Sequence, residues 1–176
     1  DEIMNGFSDL MEKEMNIMWK KKLGLKFYDN SIVQNLFDLM IISKADYTKF
    51  FRLLSQIPKD AGSLKESFYE PCPYQIELKW NHWIKSWKEC IDKSNNYQTI
   101  SKKMLLVNPK FTWREWLIVP AYERAEKGDY SLVLELQNLF NDPYGTGSSN
   151  LNEKFDSLKP IKYFSRGGIS HYSCSS

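Results

Sequence analysis

Apolar residues recur at helical spacing along almost the whole chain, and this periodicity restricts its possible folds more than any other feature. They fall three or four positions apart, so that each set lies on one face of a helix. The first stripe contains Ile3, Phe7, Leu10, Met11, Met15, Met18 and Trp19. No run alternates between apolar and polar residues as a half-buried strand does. The sequence therefore predicts an all-α fold of about seven helices with an irregular C-terminal tail.

Start and stop signals place the first three helices. Residues 2–22 form a helix that ends in three lysines followed by Gly24. This is a favourable end, because basic side chains suit the negative end of the helix dipole. Asp29 or Asn30 can cap the second helix and Asp46 can cap the third, since their side-chain oxygens accept hydrogen bonds from free amides of the first turn.

The next two helices are separated from the third by a loop. Three prolines and a glycine mark residues 58–74 as that loop, and Pro58 closes the third helix. The fourth helix stops at residues 94–96. Its apolar stripe contains Ile76, Trp80, Trp83, Ile84, Trp87 and Ile91. A short fifth helix over residues 98–106 ends ahead of Pro109, because the residue before a proline disfavours the helical conformation.

The sixth helix is predicted over residues 113–127. Thr112 and Glu115 have the spacing of a capping box, and Gly128 is placed to end the helix in the left-handed conformation. Pro120 lies inside this helix, where it removes one backbone hydrogen bond and should kink the axis.

The seventh helix is capped by Ser131 and ends at Asp142-Pro143. Beyond it the composition shifts to Gly, Ser, Asn and Lys. We therefore divide the chain into a helical domain, residues 1–144, and a Gly/Ser-rich tail, residues 145–176.

Composition narrows the classes of function. Hydrophobic residues make up 42% of the 176, enough for a core, and the net charge of +2 is too small to favour nucleic acid or a membrane. Three cysteines are too few for a disulfide framework, and their odd number indicates a reducing compartment or a partner outside the chain. No apolar run reaches the length of a membrane span, and the first residues resemble neither a signal nor a transit peptide. Because the chain starts at Asp1, we expect it to be part of a longer protein.

Most chemical signals in the sequence are weak. His171 and Cys174 have a ligand-like spacing, but a structural zinc site needs four ligands and no second pair exists. The sequence holds no glycine-rich phosphate loop and no nucleophile elbow. The tryptophan stripe of the fourth helix can stack nucleic-acid bases, although its spacing is more typical of a core seam. We expect His82, which lies between these tryptophans, to be a surface or packing residue.

Cys174 stands third from the end of the chain, in a terminus rich in Gly and Ser. Chain ends of this kind bury little, so the thiol is accessible to a partner that a core cysteine does not reach. The terminal carboxylate favours a raised thiol pKa. An inert tail thiol and a redox-active thiol both fit these residues.

A series of short segments occurs in a fixed order along the chain. They are Lys22-Leu23-Gly24-Leu25, Ala45-Asp46-Tyr47-Thr48 with Phe51-Arg52-Leu53-Leu54, Val107-Asn108-Pro109-Lys110-Phe111, Ala125-Glu126-Lys127-Gly128-Asp129-Tyr130, Asp142-Pro143-Tyr144 and Ser173-Cys174-Ser175-Ser176. With a tryptophan-bearing helix between the second and the third, this order resembles the C-terminal part of the selenoprotein O (SelO) family of pseudokinase protein adenylyltransferases. The resemblance covers essentially the whole chain, although residues 145–166 match little.

The resemblance implies a parent protein with a kinase-like fold that transfers AMP, rather than phosphate, from ATP to Ser, Thr or Tyr hydroxyls of other proteins. The family uses ATP with Mg or Mn, and its nucleotide and metal ligands belong to the kinase-like core upstream of this chain. No catalytic, cofactor-binding or metal-binding residue is therefore assigned here, and the fragment alone is expected to be inactive. The expected partners are that upstream domain and the protein substrates, without nucleic acid or membrane.

The resemblance also gives Cys174 a role. It matches a position that holds selenocysteine in some family members and cysteine in others, and that is linked to redox control by pairing with a cysteine of the activation loop. Cys174 is thus the expected redox-regulatory residue, and Cys72 or Cys90 pairs with it only if the tail folds back. The implied location is mitochondrial in a eukaryote and cytoplasmic in a bacterium, without secretion.

Two readings without an enzyme also fit the residues. One is a stand-alone helical protein-interaction module without catalytic activity, which would use its aromatic surface to bind a partner. A weaker alternative is an RNA-binding helical domain, which the near-zero net charge disfavours.

Overall fold

Helices are the regular elements of residues 2–164, the part of the chain that the computed structural model describes, and no strand occurs there. The α-helices are α1 (Glu2–Lys22), α2 (Asn30–Ile42), α3 (Tyr47–Leu54), α4 (Tyr74–Cys90), α5 (Tyr97–Leu105), α6 (Glu115–Ala125), α7 (Ser131–Phe140) and α8 (Ser149–Phe155). Two 3₁₀ segments cover Ala61–Ser67 and Ile161–Tyr163. The predicted all-α class is confirmed, and membership of a kinase-like fold stays a prediction.

The chain divides into two compact units, residues 1–108 and residues 109–176. This division follows spatial contacts and falls inside the helical domain predicted from the sequence. The compositional boundary between residues 144 and 145 is of another kind and stays a prediction.

The first unit is built around the tryptophan stripe of α4. Trp80 and Trp87 are fully buried, and Trp83 is 3% exposed. The indole N–H of Trp83 donates to the carbonyl of Ile32 in α2 at 3.0 Å. The indole N–H of Trp87 donates at 2.8 Å to the carbonyl of Leu23, just after α1. These bonds satisfy two buried donors and join α4 to both neighbours.

The end of α4 lies earlier than the sequence predicted. The helix ends at Cys90 rather than at residues 94–96, and Ile91 pairs with Leu25 in an isolated antiparallel bridge. The amide of Lys26 donates to the carbonyl of Cys90 at 3.0 Å, and the amide of Asp92 donates to the carbonyl of Gly24 at 3.2 Å. The predicted stop was wrong because this pairing draws Ile91 out of the helical conformation.

The predicted caps at Asp29 and Asp46 are confirmed, since their side chains accept amide hydrogen bonds in the first turns of α2 and α3. α3 ends at Leu54, ahead of the predicted stop at Pro58. The predicted loop 58–74 contains the 3₁₀ segment Ala61–Ser67, which Asp60 caps. This segment has buried side chains, so the loop is more ordered than its prolines indicated.

The second unit packs α6, α7 and α8 around one apolar cluster. Its buried members are Phe111, Trp116, Leu117, Ala121, Leu132, Leu136, Leu139 and Phe155. α6 begins at Glu115, and its N-cap Arg114 makes no side-chain capping bond, so the predicted capping box of Thr112 and Glu115 is wrong. Trp113 lies ahead of the helix, where its ring stacks on Phe140 with centroids 4.6 Å apart. The backbone of Arg114 is extended, with φ −105° and ψ 133°, so the residues before Glu115 lie outside the helix.

The remaining helix signals predicted for the second unit are confirmed in part. Pro120 lies inside α6 and Gly128 follows it with a φ of +82°, as predicted. Ser131 is the first residue of α7 rather than its cap, and its amide donates at 3.0 Å to the carboxylate of Asp129. The acidic side chain takes the capping role because it reaches the same free amide.

α8 lies in the segment that was predicted to be an irregular tail. Phe155 of this helix is only 3% exposed, and Arg114 donates to the carbonyl of Ser157 at 3.0 Å. The expectation of an irregular segment is therefore wrong for residues 149–155. The sequence signal is short, because Leu151 and Phe155 alone form its apolar stripe.

Candidate functional site

The residues singled out for redox and metal chemistry lie at the end of the chain. Cys174 and His171 fall outside the described residues, so the structure gives them no position. Within residues 2–164, no three His, Cys, Asp or Glu side chains are grouped so that they could hold a metal ion. In the same range, no helix is both long enough and apolar enough to cross a membrane.

The two described cysteines, Cys72 and Cys90, are half-buried free thiols. Burial raises the pKa of both thiols, and the nearby charges of Glu77 and Asp29 respectively add to the effect. Because the thiolate is the reactive form, these two groups are poor nucleophiles at neutral pH.

The tryptophans of α4 are core residues, so their stripe is a core seam and not a surface that stacks nucleic-acid bases. Their rings pack on one another, with Trp83 and Trp87 nearly parallel at 5.7 Å between centroids. Rings at this depth offer no face to a nucleic-acid base. His82, which lies between Trp80 and Trp83 in sequence, is exposed. A surface position was one of the two alternatives predicted for it.

A buried amine lies at the C-terminal end of α1. Lys22 is 7% exposed, and its Nζ donates to Asn108 Oδ1 at 2.7 Å. The same nitrogen lies 4.1 Å from the ring centroid of Phe51 and 4.9 Å from that of Tyr47. The side-chain amide of Asn108 donates in turn to the carbonyl of Lys22 at 2.8 Å and to Ser55 Oγ at 2.9 Å. We call these five residues the Lys22 cluster.

The Lys22 cluster has unusual electrostatics. Burial lowers the pKa of the Lys22 amine from 10.5 to about 8, because desolvation disfavours the charged form. Within residues 2–164 the amine has no carboxylate partner, so the amide oxygen of Asn108 and the two aromatic faces stabilise its charge. Burial also raises the pKa of the Tyr47 hydroxyl.

The cluster connects segments that are far apart in sequence. Arg52 extends it, since its Nη1 donates to the carbonyls of Leu105 and Asn108, both at 3.0 Å. The end of α1, the middle of α3 and the segment after α5 thus meet at one buried polar centre. Such a centre fixes these helices in place, and its burial keeps the amine away from any macromolecular substrate.

The other end of α1 carries an exposed apolar stripe. Phe7, Leu10, Met11 and Met15 are between 45% and 61% exposed, whereas Trp19 on the same helix is buried. Their spacing places them on one helical face, which the first unit leaves uncovered. We call these four residues the α1 stripe.

The family model described as protein adenylyltransferase SelO matches residues 1–141 of this chain. The chain belongs to the SelO family. Relatives named protein nucleotidyltransferase YdiU support this assignment. The one from Cytophaga hutchinsonii is 28% identical over 99% of this chain and 35% of its own length. The one from Flavobacterium johnsoniae is 29% identical over 100% of this chain and 36% of its own length. The one from Stutzerimonas stutzeri is 31% identical over 81% of this chain and 29% of its own length.

The chain therefore spans about a third of the length of these bacterial SelO relatives. The recognition made from the sequence is confirmed.

Three of the segments that carry the SelO resemblance meet in space at the Lys22 cluster. Lys22 comes from the first of them, Tyr47 and Phe51 from the second, and Asn108 from the third. The sequence patterns assigned Lys22 only to the basic end of the first helix and Asn108 only to the helix end ahead of Pro109, so the cluster was missed. One signal was available, because Lys22 falls on the same helical face as Met18 and Trp19.

Proposed function

We propose that this chain is the C-terminal portion of a protein adenylyltransferase that transfers AMP from ATP to Ser, Thr or Tyr hydroxyls of other proteins. The observation that carries the proposal is the SelO family match over residues 1–141. The nucleotidyltransferase names of the relatives agree with it. The kinase-like fold of the parent and its pseudokinase character belong to the same proposal.

In this proposal the chemistry is supplied from outside the chain. ATP and Mg or Mn bind upstream residues, and the described residues do not offer the three or more grouped ligands that a metal site would require. We assign this chain a structural role, in which the Lys22 cluster holds α1 rigidly at its C-terminal end.

The proposed partner of the chain is the upstream kinase-like domain, and the α1 stripe is its docking face. Four neighbouring apolar side chains exposed by about half are costly in water and are typical of an interaction surface. A stand-alone protein-interaction module remains the second candidate, since the same stripe can bind an unrelated protein. The proposed location is the cytoplasm for a bacterial parent and the mitochondrion for a eukaryotic one.

Redox control through Cys174 is the regulatory part of the proposal. The thiols of Cys174 and of an upstream cysteine would form a disulfide and reduce a small disulfide oxidant such as glutathione disulfide to two thiols. The Cys174→Ser parent should transfer AMP equally well before and after oxidant treatment. Equal loss of activity in the variant and in the unsubstituted parent would contradict this role.

The first experiment compares the full-length parent with this chain. With labelled ATP, Mg or Mn and a protein acceptor, we expect the parent to transfer AMP and the isolated chain to transfer none. A parent that labels no acceptor, although it is folded and binds ATP, would overturn the adenylyltransferase proposal. If the intact mass of the native protein corresponds to this chain alone, that mass favours the interaction module instead.

The second experiment tests the docking face. The isolated upstream domain should bind this chain, and Met11→Glu/Met15→Glu should abolish that binding because it places charges on the apolar contact. Leu134→Glu on α7, where Leu134 is 58% exposed, is a control for a charge at an exposed apolar position and should bind normally. Equal binding by both variants would show that the α1 stripe is not the docking face.

A further inference from the structure

A groove of about 400 Å³ lies in the first unit, between the end of α1, the segment that follows it, and α5. The floor of the groove is apolar. It consists of the backbone at Gly24 with Leu25 and Ile100, each of which is 3% exposed. Leu106 and Val107 extend this floor, and the side chain of Leu106 is 70% exposed. Pockets of this size accommodate a few side chains of a ligand.

The remaining lining of the groove has a positive balance. Lys20, Lys21 and Lys103 contribute three amines, against the single carboxylate of Asp92. That carboxylate is already engaged, since the amide and the hydroxyl of Ser94 donate to it at 3.2 and 2.6 Å. At neutral pH the groove therefore presents a net positive charge beside an apolar surface.

The lysines at the end of α1 are not needed to complete the helix. The amide of Leu25 donates to the carbonyl of Lys20 at 2.9 Å, and the amide of Gly24 donates to the carbonyl of Lys21 at 3.3 Å. These bonds form a Schellman motif that already satisfies the terminal carbonyls. The bridge of Leu25 to Ile91 fixes the same segment from its other side. The floor is thus rigid before any ligand arrives, which lowers the entropic cost of binding.

We propose that this groove binds a peptide segment in which an apolar side chain is flanked by acidic residues. The apolar side chain lies on the floor, and the neighbouring carboxylates meet the amines of Lys20, Lys21 and Lys103. Charge complementarity selects the acidic flanks, and the apolar floor requires the central side chain. The open side at Leu106 lets an extended chain enter and leave the groove. Binding of this kind goes beyond AMP transfer and requires no nucleotide.

The test uses the whole 176-residue chain and a fluorescein-labelled peptide, Gly-Asp-Glu-Leu-Leu-Asp-Glu, at low salt. We expect saturable binding by fluorescence anisotropy. Lys20→Glu/Lys103→Glu should weaken binding by about tenfold or more, because two attractive pairs become repulsive. Lys102→Glu/Lys127→Glu makes the same charge change at exposed lysines outside the groove and should bind within about twofold of the unsubstituted chain. Leu106→Ser should weaken binding by roughly threefold or more through loss of floor contact.

Two control peptides separate the contributions. Gly-Asn-Gln-Leu-Leu-Asn-Gln lacks the acidic groups, Gly-Asp-Glu-Ser-Ser-Asp-Glu lacks the apolar ones, and both should bind much more weakly. Equal binding of either control, or equal weakening by the two double variants, would overturn the proposal. Displacement of the peptide by octanoate at matched concentration would also overturn it, by showing that the groove takes a small amphipathic anion.

Discussion

A lysine on an apolar helix face is the feature of this chain that matters most at the level of single residues. Lys22 continues the face of Met18 and Trp19, and its amine is buried against Asn108 and two aromatic rings. Removing an amine from water costs more than these neutral partners return, which is why its pKa falls. Two properties of the chain follow from this residue.

The first is a dependence of stability on pH. The pKa of Lys22 is about 8 in the folded chain against 10.5 in the unfolded one, so the unfolded chain binds more protons between these values. The free energy of unfolding should therefore rise with pH, and relative to Lys22→Met by about 1.5 kcal/mol between pH 8 and pH 9.5. Urea unfolding of both proteins at several pH values measures the difference, in which the shifts of the two cysteines cancel. A difference that is constant with pH would contradict the prediction.

The second is the cost of removing Asn108. Asn108→Ala leaves the amine of Lys22 and one buried carbonyl without their partner, and it removes the amide that donates to Ser55 Oγ, which keeps its own bond to the carbonyl of Phe51. It should destabilise the first unit by about 2–3 kcal/mol. Asn35→Ala, at an exposed position of α2, is the control and should change the free energy of unfolding by less than about 0.5 kcal/mol. Similar values for the two variants would mean that the cluster adds no stability.

At the level of the element, helix ends show what sequence patterns predict and what they miss. Asp29 and Asp46 cap their helices as predicted, because a capping bond depends on residues within one turn. The predicted end of α4 and the predicted capping box of α6 failed where a distant partner intervened. Ile91 pairs with Leu25, and Trp113 stacks on Phe140. Local rules contain no information about such partners.

Substitutions of two glycines at helix ends distinguish the cost of backbone strain from the cost of steric overlap. Gly24 and Gly128 both have positive φ, +64° and +82°. A Cβ at residue 24 would lie 2.8 Å from Ile100 Cγ2 and 2.9 Å from Met104 Sδ, whereas a Cβ at residue 128 would meet nothing within 4 Å. We expect Gly128→Ala to cost about 1 kcal/mol and Gly24→Ala about 2–4 kcal/mol. Hydrogen–deuterium exchange of each unit measures both, and equal costs would show that the core yields to the added methyl group.

At the level of the whole molecule, the sequence predicted the family and the helical class but not the candidate sites. The apolar periodicity and the ordered segments were sufficient for those two conclusions. The Lys22 cluster required three-dimensional proximity, because Lys22 and Asn108 are 86 positions apart. The lysine-lined groove also required three-dimensional proximity, because Lys20 and Lys103 both line it although they are far apart in sequence.

The rate at which the exposed methionines are oxidised measures whether the upstream domain docks on the α1 stripe. Met11 and Met15 are 48% and 45% exposed, whereas Met40 and Met104 are 6% and 0% exposed. In the isolated chain, peroxide should oxidise the first pair at least about tenfold faster than the second, since access controls the reaction. In the full-length parent, the rates of Met11 and Met15 should fall towards those of Met40 and Met104. Unchanged rates in the parent would place the docking face elsewhere.

The position of Asn108 also orders events during synthesis of the chain. A ribosome delivers Lys22, Tyr47, Phe51 and Ser55 before it delivers Asn108, the last residue of the first unit. Until then the amine has no amide oxygen to accept its hydrogen bond, and water is its best available partner. The tryptophan core can therefore collapse while the end of α1 is still hydrated, and translation of the Asn108 codon sets the earliest moment at which the first unit can close.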